Sequence, residues 1–406
     1  MFNLHLSQEQ LQIRDTVRDF VEREIKPVVL KPERLEALER RLPMELLDQA
    51  SQLGLRTLAL SEERGGAGAD ALTSCIVTEE LAAGDPDLAA ALAETSALGH
   101  MLFDQGMSPG QRDRFLPQFL KDHRYHLAHA AHEPGSDDAL GVNYHRPVPA
   151  DAPIGTTAVR AANAWVINGL KDCVANAPLA RLLAVQARTG AGAMSTLLVP
   201  RDTPGLSVRE HDTAERWFHG SCGEVIFEEC RVPAENLLGQ EVQTTDGRGW
   251  FQALNLGIGR AAYEAALDYA KLRVQGGRRI VEHQAIGAKL AEIAIRLEVA
   301  RSIVWRAAWS CDHPEAVADR SLADLPLQSV AKVFTSEAIY HAVKDAAECF
   351  GAMGVMRDMP LQKYVHDALV CLHSGSGNSD AKLRIAEALA GYRREPAPRV
   401  RVAESI

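Results

Sequence analysis

Residues 222–239 read CGEVIFEECRVPAENLLG. The run GEVIFEECRVP (223–233) is short, carries β-branched residues and is closed by a proline, which marks a strand. Working upstream, WVING (165–169), LLAVQAR (182–188), STLLVP (195–200) and GLSVRE (205–210) have the same character and are separated by Gly, Pro and Asn. Several strands at such short spacing predict a small sandwich or barrel. The stretch 138–160 has little periodicity and several Pro and Gly residues, and reads as a loop.

Outside this segment the apolar period changes from two to 3.6. Upstream, Ser7 with Gln10 forms a capping-box signature, followed by Ile13, Val17, Phe20, Val21 and Ile25 until Pro27 stops the pattern. A second helix is predicted over 43–54, a third from Ala71 to about Gly84, and helical periodicity continues through Phe119. Downstream, 249–275, 282–311, 325–350 and 379–391 are four long amphipathic segments, the number expected of an antiparallel bundle. The resulting division is an N-terminal helical domain (1–124), a middle β domain (125–240), a C-terminal helical bundle (241–392) and a mobile tail (393–406).

Bulk properties narrow the class further. The chain has 406 residues, 46% of them hydrophobic, enough for real cores and too long for a single one. A net charge of −10 and an isoelectric point near 5.8 argue against a nucleic-acid surface. The seven cysteines show no CxxC or Cys–His ligand spacing, so reduced thiols are expected and a metal site is not. The N-terminal MFNLHLSQEQLQIRD lacks the basic region and apolar core of a secretory leader, and no apolar run is long enough to span a bilayer. The expectation is a soluble, cytoplasmic protein.

Seven stretches, in order, resemble the acyl-CoA dehydrogenase family: LSEERGGAGAD with TEELAAGDPDLAAAL (60–92), QRDRFLPQFL (111–120), HEPGSDDA (132–139), WVINGLKDCVANA (165–177), CGEVIFEECRVPAENLLG (222–239), LDYAKLRVQGGRRIVEHQAIGAKLAEI (267–293) and ECFGAMGVMRDMPLQKYVHDA (348–368). The resemblance implies a helical domain, a β domain and a four-helix bundle. It implies an enzyme that removes an α-proton from an acyl-CoA thioester while FAD takes the β-hydride. It also implies a homotetramer or dimer, and an electron-transferring flavoprotein as redox partner.

Carried over residue by residue, the resemblance places Arg273 and Gln275 at the FAD pyrophosphate of a neighbouring subunit, a phosphate-binding task suited to a guanidinium. Glu348 stands for the family's Gln in the same region, and Gly351 and Gly354 for its small residues. At the flavin ring, His132 and Ala175 replace two threonines, Cys173 replaces the stacking tryptophan, and Ser136 lies between FAD and the CoA side. Gly377 replaces the threonine of the EGTS segment, where Asn378 offers polar contacts.

The usual catalytic glutamate is missing, because its position falls on Gly375. The alternative position used by a minority of the family falls on Gly247 or Gly259, each followed by arginine. Asp246, Glu264 and His373 are the nearby titratable groups, and the catalytic base stays unassigned. Three readings follow from the sequence: an FAD-dependent dehydrogenase with a displaced base, a lyase or desulfinase on a CoA thioester, or an FAD-poor partner subunit in a heteromer.

Overall fold

The computed structural model describes residues 5–35, 40–134, 155–190, 194–211, 217–239, 249–320, 322, 324–374 and 377–391. The N-terminal third is helical. Helix α1 (Gln8–Phe20) starts at the Ser7–Gln10 capping box. It does not stop at Pro27. A π-helical turn over Val21–Ile25 leads into α2 (Lys26–Val29), with the Lys26 N–H bonded back to Val21. The widened turn takes up the proline without the ring meeting the carbonyl of the preceding turn. Helix α3 (Met44–Gln52) ends before Gly54, whose φ is 86°. Then come α4 (Ala71–Gly84), capped by Asp70, α5 (Pro86–Gly99), capped by Asp85, and α6 (Pro109–Lys121), which has a second capping box at Ser108–Gln111.

The middle segment forms a curled seven-stranded sheet: β1 (His126–Ala130), β2 (Thr157–Ala161), β3 (Ala164–Ala175), β4 (Ala180–Arg188), β5 (Met194–Pro200), β6 (Leu206–Glu210) and β7 (Cys222–Pro233). The order is β1-β4-β2-β3-β7-β6, with β5 beside β4; β1 runs parallel to β4, and β3 antiparallel to β7. Strand β2 corrects the loop expected over 138–160. Its Val159 and Arg160 are exposed on a strand with few buried residues, so it lacks a period-two apolar signal. Along β4 the alternation divides two cores. Leu183 and Val185 face a cluster with Ile167, Leu197, Val225 and Phe227, whereas Leu182 and Ala184 pack with Phe103, Phe119 and Leu127 under the helices.

The C-terminal part contains α7 (Trp250–Leu272), the hairpin strands β8 (Val274–Gln275) and β9 (Arg278–Arg279), α8 (Gln284–Asp312), α9 (Glu315–Ala318), α10 (Leu327–Cys349), α11 (Leu361–His373) and α12 (Gly377–Ala390). Among the described residues, α11 falls between the third and fourth of the long segments expected for the bundle. Val17, Leu81, Leu254, Ile258 and Ile339 belong to one hydrophobic cluster, so the N-terminal helices and the bundle share a core. Contact between them is tight at Gly257 on α7, where a Cβ would sit 2.4 Å from the Glu79 carbonyl oxygen and 2.8 Å from Ala82 Cβ. No described helix is long and apolar enough to cross a membrane. The expected tail over 393–406 lies outside the described residues.

Candidate functional site

A buried ionic network ties α11 to the sheet and to the N-terminal helices. Arg40 donates to Asp87 at 3.0 Å and to Asp367 at 2.7 and 3.3 Å, and Lys363, one turn before Asp367, reaches it at 2.9 Å. His219 lies between the same two acids, with Nε2 3.1 Å from the Asp367 carbonyl oxygen and Nδ1 3.4 Å from Asp87. Gly220 N–H donates to Asp87 as well. Burial would raise the Asp367 carboxyl, but the charges of Arg40 and Lys363 outweigh it and hold the group well below the usual carboxylate range. Beyond Asp367, Ser374 closes α11 through its hydroxyl, which reaches the carbonyls of Val370 and Trp217. The end of the helix that precedes residue 375 is thereby fixed against the 217–220 segment.

A second set of residues gathers at the end of β3. Lys171 is fully buried and donates to the Ala131 carbonyl at 3.0 Å and to Glu133 at 2.7 Å. Glu133 accepts in turn from the backbone of Thr156. This pair fixes the 131–133 turn, whose His132 carbonyl accepts the Asp172 N–H at 3.1 Å. The β3–β7 register slips between Lys171 and Val174, and Cys173 adopts φ 53°. The strand therefore carries a bulge at Cys173. Ala175 follows, opposite Cys222. Asn176 donates to the Thr95 hydroxyl at 3.1 Å, and Thr95 lies 3.1 Å from His126 Nδ1.

Arg273, Gln275, Glu348 and Gly351 lie around the hairpin that follows α7. Arg273 caps α7 and begins a tight hairpin whose turn, Gly276–Gly277, has φ of 62° and 81°. This is the doubly left-handed geometry of a two-residue hairpin turn. Arg273, Arg278 and Arg279 are exposed and form no ion pair among the described residues. The Gln275 carbonyl accepts from His283 at 2.9 Å. Tyr269 stacks on Phe350 at 4.2 Å, which brings the end of α10 and Gly351 beside the hairpin. Glu348 is paired with Lys289, so its charge is offset.

Asn378, at the start of α12, is held by α10: its amide donates to Ser336 at 2.9 Å and its oxygen lies 3.1 Å from the same hydroxyl. The structure thus divides the predicted cofactor residues into a sheet-end set (His132, Ala175), a bundle-end set (Arg273, Gln275, Glu348, Gly351) and Asn378 on its own. Ser136, Asp246, Gly247 and Gly375 lie outside the described residues.

Of the candidate bases that are described, none has the setting of a shielded carboxylate. Gly259 faces Ile339 and Leu297 inside the bundle. Glu264 is nearly half exposed and lies 3.6 Å from Lys26 and 3.8 Å from Arg260. His373 is exposed at the end of α11.

Sequence reasoning missed the Arg40 network and an acidic pair on α4. Glu80 receives two bonds from Arg260, both 2.7 Å, and two from Arg18, while Glu79 is held by Arg301 at 2.9 Å. These residues line a cavity of about 410 Å³ between α1, α4, α7 and α8. The Lys363–Asp367 spacing of four was the one local sign of the network; its partners come from segments remote in sequence.

A curled sheet with helices packed before it and a helical bundle after it defines a three-part α/β enzyme fold. Models of the acyl-CoA dehydrogenase N-terminal, middle and C-terminal domains match residues 7–123, 150–230 and 241–389. The chain is 30% identical to an acyl-CoA dehydrogenase of Bacillus subtilis, over 96% of this chain and 100% of that one. It is 32% identical to benzylmalonyl-CoA dehydrogenase of Aromatoleum aromaticum, over 94% and 98%. Butyryl-CoA dehydrogenase from Megasphaera elsdenii has a similar structure, with a TM-score of 0.81 at 25% identity, covering 96% of this chain and 100% of that one. The chain belongs to the acyl-CoA dehydrogenase family, a family of oxidoreductases.

Proposed function

We propose that this protein is an FAD-dependent oxidoreductase that removes hydrogen from the α and β carbons of an acyl-CoA thioester, using a proton acceptor other than residue 375. The observation that carries the reading is the exposed hairpin, which presents Arg273, Arg278 and Arg279 without counter-ions among the described residues. Such unpaired guanidinium groups suit a pyrophosphate. Glu348, an acid that would oppose a phosphate there, is offset by Lys289. When bound, FAD supplies the hydride acceptor.

Within this reading Arg273 and Gln275 bind the pyrophosphate of a second subunit's FAD, Gly351 lets the backbone approach it, and His132 and Ala175 lie at the ring. Leu272 and Val274, 81% and 60% exposed beside Arg273, are then covered by that second subunit. A homotetramer is the assembly proposed, with an electron-transferring flavoprotein as the redox partner. Asp172 and Cys173, in the bulge where the family has its stacking aromatic, favour a second reading: an FAD-poor subunit in a mixed oligomer.

The visible absorbance of the purified full chain, with FAD and then with a panel of acyl-CoA thioesters, tests both. A yellow protein bleached by one thioester is expected. A colourless protein that takes up no FAD would overturn the first reading and leave the second.

A further inference from the structure

The bulge in β3 gathers three different metal-ligating side chains. A carboxylate oxygen of Asp172, Cys173 Sγ and a ring nitrogen of His211 lie within 4.8 Å of one another, and each of the three residues is partly accessible. His211 Nε2 is already 2.8 Å from Asp172 Oδ1. Their placement is built into the backbone. The register slip between Lys171 and Val174 puts one extra residue into the strand, and the left-handed Cys173 redirects its side chain. The Cys173 N–H donates to Asp172 Oδ1 at 2.6 Å, and His211, just past β6, is fixed by its N–H to the Cys222 carbonyl. Cys222, in register with Ala175, brings a second, buried thiol to the same end of the strand pair.

We infer that Asp172, Cys173 and His211 form a binding site for a thiolate-favouring divalent cation of the zinc type. Mixed sulfur, nitrogen and oxygen donors are the set such an ion takes, at bonds of about 2.0–2.3 Å and tetrahedral angles, which separates donor atoms by roughly 3.3–3.6 Å. The present donors reach that spacing when the Cys173 side chain closes in and His211 and Asp172 part slightly. Three protein ligands leave the fourth position for water or a further donor. On binding, the thiol loses its proton to solvent and the imidazole stays neutral, so no oxidant or reductant is involved. Cysteine spacing gives no sign of such a site, because the ligands come from β3 and from the residue after β6, which are brought near each other by β7 between them.

Cys173 is also the residue that the flavin reading sets at the ring, so the readout is made on flavin-free protein, where the metal site is tested by itself. The full chain, reduced, stripped with a chelator and desalted, is titrated with Co²⁺ alone. One equivalent per chain is expected, with a near-ultraviolet thiolate-to-cobalt charge-transfer band that added Zn²⁺ abolishes. Cys173→Ser should remove the band, and His211→Gln, on a partly exposed side chain, should weaken binding at least tenfold while the far-ultraviolet circular dichroism stays unchanged. Cys311→Ser, at a cysteine remote from the bulge, should retain the band. Absence of uptake, uptake without the thiolate band, or a band that survives Cys173→Ser would overturn the site.

Discussion

Arg40 and Asp367, 327 residues apart in sequence, form a two-bond ion pair inside the protein, with contacts of 2.7 and 3.3 Å. The guanidinium also serves Asp87, and the second Asp367 oxygen also takes Lys363. Removing one acid leaves two buried cations short of a counter-charge, which costs about 3–5 kcal/mol. Asp367→Asn is therefore expected to lower stability by that order in urea denaturation, with α11 and the 217–220 segment loosened together. A change under 1 kcal/mol would mean the network is solvated in solution.

Acid should destabilise the protein in two stages. Burial, reinforced by Arg56 for His126 and by Lys171 for His129, holds both imidazoles down at about 4. Unfolded histidine titrates near 6.5, so between about pH 6.5 and 4 the unfolded chain binds protons that the folded chain does not. Stability thus rises with pH across this window, by about 1.4 kcal/mol per unit for each histidine. Asp367 acts in the same direction lower down. Its contribution is complete above the unfolded carboxyl value of about 3.9 and is lost as pH falls toward its depressed folded value. The urea midpoint should fall steadily from pH 6.5 to 4, and less steeply in His126→Gln/His129→Gln. A level midpoint across that range would show that neither imidazole is buried in solution.

Much of the fold was legible because local signals agreed with the global one. The Ser7–Gln10 box, the Ala/Leu-rich Ala71–Gly84 helix and the strand at 182–188 are all where the sequence places them. Elements were missed where local and tertiary forces part. Pro27 is accommodated by a π turn, β2 carries no apolar alternation, and α11 lies in a stretch read for its motif rather than its period. The site was less legible still. Arg40, Asp87, His219 and Asp367 come from four remote segments, and the metal-ligating trio depends on a strand register that composition does not encode.

Gly257 tests how tightly the first and third parts of the chain are joined. A methyl group there would meet the Glu79 carbonyl oxygen at 2.4 Å, so α4 and α7 would have to separate. Overpacking of this kind costs about 1–3 kcal/mol. Gly257→Ala should lower the thermal midpoint in one cooperative transition, because both parts share a core. Two separated transitions would contradict that shared core.

Arg273 separates cofactor binding from folding. It is exposed and makes no ion pair among the described residues, so Arg273→Ala should change stability by less than about 0.5 kcal/mol. Loss of a guanidinium from a phosphate should nevertheless lower FAD retention about tenfold or more, read as the flavin-to-protein ratio after gel filtration. Retention equal to that of the unsubstituted protein would remove the hairpin from the cofactor site.

Residue 375 tests the missing base most directly. Ser374 is fixed by its hydroxyl to Val370 and Trp217, and its N–H bonds to the Val370 carbonyl at 2.9 Å, so residue 375 follows an anchored helix end. On the proposed reading, the family's catalytic glutamate corresponds to this position. A positioned general base contributes about 10²–10⁴ in rate. Gly375→Glu should therefore speed bleaching of the bound flavin by an acyl-CoA thioester by about 100-fold or more, with FAD content unchanged. The gain should appear as pH rises through the carboxylate range, since only the ionised form accepts the proton. An unchanged rate in flavin-loaded protein would mean that proton removal is already served by another group, and the search for it would move to Glu264 and His373.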